Sequence, residues 1–312
     1  MNRERNMDAT QSGSEWVMIG VPTSAGAHHA GQDRAPAALR AAGIIDRLQA
    51  AGVNVSDAGD VPGSVFAVDH DHPTARNLTA VVAVARGVAD AVAREVDAGR
   101  RPLVVGGDCT ITLGVVAGIR RVYPNVGLAY LDGDADLADL SSDGSGILDS
   151  TGIWHLLGQG EPQLANLAGV IPLLDGSRLA MLGCDPREQT DAGRAFLASK
   201  GVSFSEGPEL SADPEATARR TLAALASQDP FVVHFDVDVV DSGDLPLGNY
   251  PHYGSGVGLA EAARSLGVLL ADPACAALVL TEINPSYDAD GSQLDRYLTA
   301  LTTALAAAPA LT

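Results

Sequence analysis

The chain has 312 residues, 46% of them hydrophobic but only 4% aromatic, which is enough for a large core that must be mainly aliphatic. Its 20 Lys and Arg against 39 Asp and Glu give a formal net charge of −19, which argues against nucleic acid or an anionic membrane as partner and suits a small cationic ligand. There is no apolar run of about 20 residues, the start of the chain is polar, and three cysteines form no disulfide framework, so a cytoplasmic protein with free thiols is expected.

Residues 1–14 read as a disordered tail and 15–312 as a single domain. A strand over 16–21 ends at Pro22, and a Gly/His-rich loop over 23–34 leads to a helix over 36–42 that opens on a proline, which the first helical turn accepts. A weaker strand over 53–61 precedes a long helix over 77–98, where Val81, Val84, Val88, Val92 and Val96 recur at helical spacing and Gly99 marks the stop. The strand over 102–105 runs into Gly106-Gly107-Asp108-Cys109, a helix spans 110–121, and a strand spans 126–131. Next come a loop over 138–150, a helix over 152–157, a strand over 178–184, a helix over 191–199, a short strand near Val202 and a helix over 214–226. A strand over 230–237, a helix over 259–270, a strand over 276–283 and a helix ending near Ala307 complete the series, with surface loops expected over 69–76 and 241–256. This alternation predicts a three-layer α/β/α fold with a mostly parallel sheet, and places ligands at the carboxyl ends of its strands.

The unusual residues fall at those ends. In Leu131-Asp-Gly-Asp-Ala-Asp-Leu137, the carboxylates Asp132, Asp134 and Asp136 occupy every second position, which a strand end would turn to one side. Like charges this close call for a cation, and a hard divalent metal is the usual answer. Alone, such a stretch would read as an acidic turn; a second one, His234-Phe-Asp236-Val-Asp238, favours the metal. His234 shares the face of Asp236 by period 2 and reads either as a partner that orients a carboxylate or as a satisfied buried histidine. His28 and His29 are candidates to line a pocket, and His155 reads as packing.

Taken together, these blocks resemble the arginase and agmatinase family of ureohydrolases over nearly the whole chain. The family pattern Gly-Gly-Asp-His appears as Gly106-Gly107-Asp108-Cys109, Asp-Ala-His-x-Asp as Asp132-Gly133-Asp134-Ala135-Asp136, and Ser-x-Asp-x-Asp as His234-Phe235-Asp236-Val237-Asp238. Glu-x-Asn-Pro is intact as Glu282-Ile283-Asn284-Pro285. The resemblance implies an arginase-like fold, two Mn²⁺ ions sharing a hydroxide that attacks a guanidino or amidino carbon, and a homo-oligomer, trimeric or hexameric.

Carried over position by position, the metal shell becomes Cys109, Asp132, Asp134, Asp136, Asp236 and Asp238, with Cys109 and Asp134 standing where the family has histidines. Five carboxylates suit Mn²⁺ or Mg²⁺, but so much negative charge should acidify a bound water less. Cys109 reads either as a thiolate ligand or as a packed thiol. Ser145 and Asp149 align with the family's substrate-binding serine and proton-shuttling histidine, Ile147 replaces an asparagine, and Asp149 is also readable as an N-cap for the 152–157 helix. Glu282 matches the carboxylate that grips the guanidinium, and Asp185 matches a contact to the substrate's amino end or is a loop cap. The implied activity is metal-dependent hydrolysis of a non-peptide C–N bond in a guanidino, hydroxyguanidino or other amidino compound. Asp136, Asp149 and Glu282 would be catalytic, and Ser145, Asp185 and Glu282 would bind substrate. The competing reading is a non-catalytic relative that keeps only the fold.

Overall fold

A computed structural model describes residues 15–140, 145–225 and 229–307, so the tail expected over 1–14 lies outside the described residues. Eight strands form one sheet: β1 Trp16–Gly20, β2 Val55–Asp60, β3 Arg101–Val105, β4 Gly127–Leu131, β5 Leu179–Cys184, β6 Ser203–Glu206, β7 Phe231–Asp236 and β8 Cys275–Thr281. Their order is β2-β1-β3-β8-β7-β4-β5-β6, and every neighbouring pair is parallel. The expected sheet was only mostly parallel. Helices cover both faces, giving the three-layer α/β/α arrangement.

Central strands such as β4 (GLAYL) and β7 (FVVHFD) are buried along their whole length, as strands covered on both faces must be. Alternation along β4 divides the core: Ala129 and Leu131 face the helices Ile44–Ala50, Leu259–Leu270 and Ser292–Ala306, whereas Leu128 and Tyr130 face Leu78–Asp97 and Ile111–Val122. At the sheet edges, β2 (VSDAGD) and β6 (SFSE) are polar, which blunts them against further pairing.

The long elements fall within a few residues of expectation. Three short helices, Ile44–Ala50, Pro162–Ala165 and Gly207–Ala212, were not anticipated; the first exists because Gly43, at φ 80°, interrupts the preceding helix and lets a new one start. The stretch 241–256 is only partly a surface loop, because Ser242, Leu245, Leu247 and His252 are buried. Period-2 reasoning also stops short of the acidic stretch. β4 ends at Leu131, so Asp132, Asp134 and Asp136 lie in a turn whose backbone reverses at Asp136 (φ 48°), and Asp238 lies in the 3₁₀ turn Val237–Val239 after β7.

The helices Leu78–Asp97 and Ile111–Val122 pack closely through Gly114 and Gly118: a Cβ at Gly118 would lie 2.8 Å from both the Ala89 carbonyl oxygen and Val92 Cβ. Gly118→Ala should therefore destabilise the protein by about 1–3 kcal/mol through overpacking. Gly87→Ala, in the same pair but facing open space, should be neutral or stabilise by up to about 1 kcal/mol. Urea denaturation of the two variants measures the difference, and equal midpoints would mean that the helix pair relaxes freely.

Candidate metal centre

Cys109, Asp132 and Glu282 follow the carboxyl ends of β3, β4 and β8, and Asp236 is the last residue of β7; these four central strands are neighbours in the order β3-β8-β7-β4. After β3 the chain turns on Gly106 and Gly107, both at positive φ (95° and 88°), where a Cβ would strike Pro36 and Thr23. This turn delivers Asp108 and Cys109. Asp108 accepts a hydrogen bond from Gly26 N at 3.0 Å and pins the 23–34 loop over the site.

A cavity of about 520 Å³ opens above these strand ends, and Cys109, Asp132, Asp134, Asp136, Asp236, Asp238, Asp149, Ser145 and Glu282 all line it. No Lys or Arg is among its described lining residues. Asp236 Oδ2 accepts hydrogen bonds from Cys109 Sγ and Thr281 Oγ1, each at 2.8 Å, and its Oδ1 accepts from Asp238 N at 2.8 Å. Asp132 Oδ1 accepts from Asp134 N at 2.6 Å, while its Oδ2 is buried with no partner. Gly133 N donates to Asp238 Oδ1 at 3.1 Å, and Tyr130 Oη donates to Asp136 Oδ2 at 2.5 Å. Asp136 and Glu282 are two of the three described non-glycine residues with positive φ, a conformational cost of the kind that gathers at functional sites.

Burial and mutual repulsion push the carboxyls of Asp132, Asp136, Asp236, Asp149 and Glu282 well above the usual range. Asp134 is pushed up to about 6, mainly by removal from water. Burial and the same carboxylates also raise Cys109, so without a metal it is a thiol that donates to Asp236. The donor set fits a divalent cation: Cys109, Asp132, His234 and Asp236 each offer an atom within 4.8 Å of the others, and the Asp132 oxygen lacks any other partner.

Around this centre the structure sorts the other candidates. Asp149 does not cap the helix Gly152–Leu156; its Oδ1 accepts Cys109 N at 2.7 Å. Glu282 Oε2 accepts Gln32 Nε2 at 2.8 Å, and its Oε1 is buried without a partner. Ser145 Oγ accepts Ile147 N at 3.2 Å. Asp185 is buried behind the cavity rather than lining it, gripped through both oxygens by Arg187 and bonded to Ser255. Burial alone would raise its carboxyl, but these partners hold it well below the usual carboxylate range. His28 and His29 stand exposed at the cavity rim. His155 is a packing residue, its Nδ1 paired with Thr151 O and its Nε2 accepting Glu161 N, both at 2.9 Å.

Four residues escaped the sequence reading. Gln32 supports Glu282; Tyr130 holds Asp136; Thr281 holds Asp236; and His252 lies between Asp185 Oδ2 (3.4 Å) and Asp238 Oδ2 (3.8 Å). Burial pulls the His252 imidazolium down, but Asp238, Asp134 and Glu188 outweigh it and lift it to about 9. A tyrosine in a buried strand needs a partner for its hydroxyl, which is the one signal that pointed to Tyr130. Nothing local marks His252.

A sequence model described as the Arginase family matches residues 14–311. An arginase of Brevibacillus brevis is 31% identical over 277 residues, covering 87% of this chain and 91% of the relative. An arginase of Bacillus caldovelox is 28% identical over 275 residues, again covering 87% and 91%. The crystal structure of an arginase from Bacillus cereus superposes with a TM-score of 0.82 at 27% identity, covering 94% of this chain and 97% of the other.

Carboxyls whose folded pKa is raised bind protons more tightly in the folded state than in the unfolded one, so they support stability at low pH and remove it as pH rises. For Asp134 that loss runs from the unfolded value near about 4 through about 6, and the other raised carboxyls extend it upward. The melting temperature of metal-free protein in chelator should therefore fall as pH rises from about 4 through about 6, with the more strongly raised carboxyls prolonging the fall, and added Mn²⁺ should reverse it at the upper end. A flat profile in chelator would show that neither burial nor mutual repulsion raises these carboxyls in solution.

Proposed function

The chain belongs to the arginase family, and on that premise we propose that it is a metal-dependent hydrolase of a guanidino, hydroxyguanidino or other amidino C–N bond, releasing urea or hydroxyurea. The observation that carries this reading is the convergence of six aspartates and Glu282 on one cavity with no Lys or Arg among its described lining residues, where Asp132 Oδ2 and Glu282 Oε1 are buried and unpaired. Such a cavity calls for cations, both as cofactor and as substrate.

In the proposal, Cys109, Asp132, Asp134, Asp136, Asp236 and Asp238 would hold two divalent ions, Mn²⁺ by family precedent, with Asp132 and Asp236 serving both, Asp136 and Cys109 one of them, and Asp134 and Asp238 the other. Bound there, the ions supply Lewis acidity and a water of lowered pKa. The chain's own residues do the rest. Tyr130 fixes one oxygen of Asp136, leaving the other to orient the attacking water. Glu282, steadied by Gln32, presents its unpaired oxygen to the guanidinium N–H groups, and the substrate's charge favours the ionised carboxylate that burial disfavours. Asp149, whose carboxyl burial pushes well above the usual range, would serve as the proton donor to the leaving amine. Ser145 meets the far end of the substrate at the cavity wall, and Asp185 shapes that end while sharing its carboxylate with Arg187 and Ser255. A cytoplasmic homo-oligomer, trimeric or hexameric, is part of the same proposal; no helix among the described residues is long and apolar enough to cross a membrane.

Two measurements test the reading. Protein loaded with Mn²⁺ or Co²⁺ should bind up to two ions per chain and release urea or hydroxyurea from a panel of guanidino and hydroxyguanidino compounds. Less than one ion per chain with every divalent metal tried would leave the non-catalytic relative as the better description. Glu282→Gln should retain its metals yet lose kcat/KM by the equivalent of about 2–5 kcal/mol, the cost of removing one partner of a buried charge-assisted contact. A loss of only a few-fold would mean that no guanidinium sits at this carboxylate.

A further inference from the structure

We propose that His234, through Nε2, is a direct ligand of the divalent cation held by Cys109, Asp132 and Asp236. The inference rests on the metal-dependent reading above and adds to it a nitrogen donor contributed by strand β7.

The ring is fixed before any ion arrives. His234 is fully buried and stacks on Tyr130, with ring centroids 3.9 Å apart and 12° between the planes. Its Nδ1 lies 2.8 Å from Thr112 Oγ1, and a proton on Nδ1 donated to that hydroxyl leaves a lone pair on Nε2. Nε2 points into the acidic cluster, 3.4 Å from Asp132 Oδ2 and 3.9 Å from both Asp236 Oδ2 and Cys109 Sγ. Donor atoms bonded to one ion at about 2.0–2.3 Å lie roughly 3–4.6 Å from one another. The three separations from Nε2 fall in that interval, whereas a direct hydrogen bond from Nε2 to Asp132 would be shorter than 3.4 Å.

A second, independent feature points to a ligand in the same place. Asp132 Oδ2, on a residue only 3% exposed, has no hydrogen-bond partner, although His234 is its neighbour. The competing arrangement puts the proton on Nε2 and donates it to Thr281 Oγ1, 3.3 Å away. Thr281 already donates to Asp236 at 2.8 Å, so its oxygen is able to accept, but that arrangement leaves Asp132 Oδ2 unpaired. A cation shared by His234 and Asp132 satisfies both atoms. Nitrogen, sulfur and oxygen together make a softer set than carboxylates alone, so the site should favour borderline cations such as Co²⁺ or Zn²⁺ over Mg²⁺.

X-ray absorption fine structure of the Co²⁺-loaded full chain decides the matter. None of Cys109, Asp132, Asp134, Asp136, Asp236 and Asp238 carries an imidazole, so outer-shell scattering from an imidazole ring reports a histidine bound to the metal. The wild type should show it, His234→Gln should lose it, and His252→Gln should keep it. If His234→Gln does not fold, the triple variant His28→Gln/His29→Gln/His252→Gln, which removes the other histidines around the cavity, should keep the scattering, and its loss there overturns the assignment. Bound Co²⁺ without imidazole scattering, or scattering lost in His252→Gln, overturns the assignment and leaves the metal-dependent reading intact. Failure to bind Co²⁺, Zn²⁺ or Mn²⁺ at all removes both.

Discussion

Negative charge is concentrated in a small buried volume beyond the carboxyl ends of β4, β7 and β8, and the surrounding structure has to accommodate it. Asp132, Asp136, Asp236, Asp238 and Glu282 are each no more than 5% exposed. Backbone and hydroxyl donors blunt the repulsion: the amides of Gly133, Asp134 and Asp238, and the hydroxyls of Tyr130 and Thr281, each meet one carboxylate oxygen. They stop short of satisfying it, since Asp132 Oδ2 and Glu282 Oε1 remain unpaired. So many buried acids must either take up protons or share a cation.

Much of the surrounding architecture serves that cluster. The Gly106-Gly107 turn brings Cys109 within reach of Asp236, and Asp108 ties the 23–34 loop down so that Gln32 meets Glu282. The stacked Tyr130 and His234 face each other across the register of β4 and β7, which pair Tyr130 with His234, and so couple the two acidic turns through one rigid pair of rings. The 241–256 segment folds inward and sets His252, whose imidazolium the neighbouring carboxylates lift to about 9, against Asp238. Among the described residues, His234 and His252 both lie beside the buried carboxylates.

The positive φ values of Asp136 and Glu282 have the same origin. Each follows a strand that the sheet holds rigidly, and each must turn back over the strand ends to point its carboxylate into the cavity. A left-handed backbone makes that turn at a conformational cost that the surrounding contacts hold in place.

Local chemistry in the sequence determined a good deal. Apolar runs located the six inner strands, while the polar edge strands β2 and β6 gave only weaker signals; helical spacing of valines located the Leu78–Asp97 helix, and aspartates at the ends of two strands marked the place where charge would gather. These are properties of nearest neighbours along the chain, and the chain alone carries them. Tertiary structure decided what the aspartates do there. Apart from Asp236, the last residue of β7, their convergence comes from turns beyond the strands rather than from strand pleating, as the end of β4 at Leu131 and the turn at Val237–Val239 show. Asp149 as a cavity carboxylate rather than a helix cap, Asp185 as the partner of Arg187, and Gln32 and His252 as neighbours of the cluster all depend on contacts spanning tens to hundreds of residues, or on a loop path that no periodicity encodes. Hydrophobic pattern fixes which face of an element is buried, but the order of strands in the sheet fixes which loops meet, and it was this meeting that assembled the site.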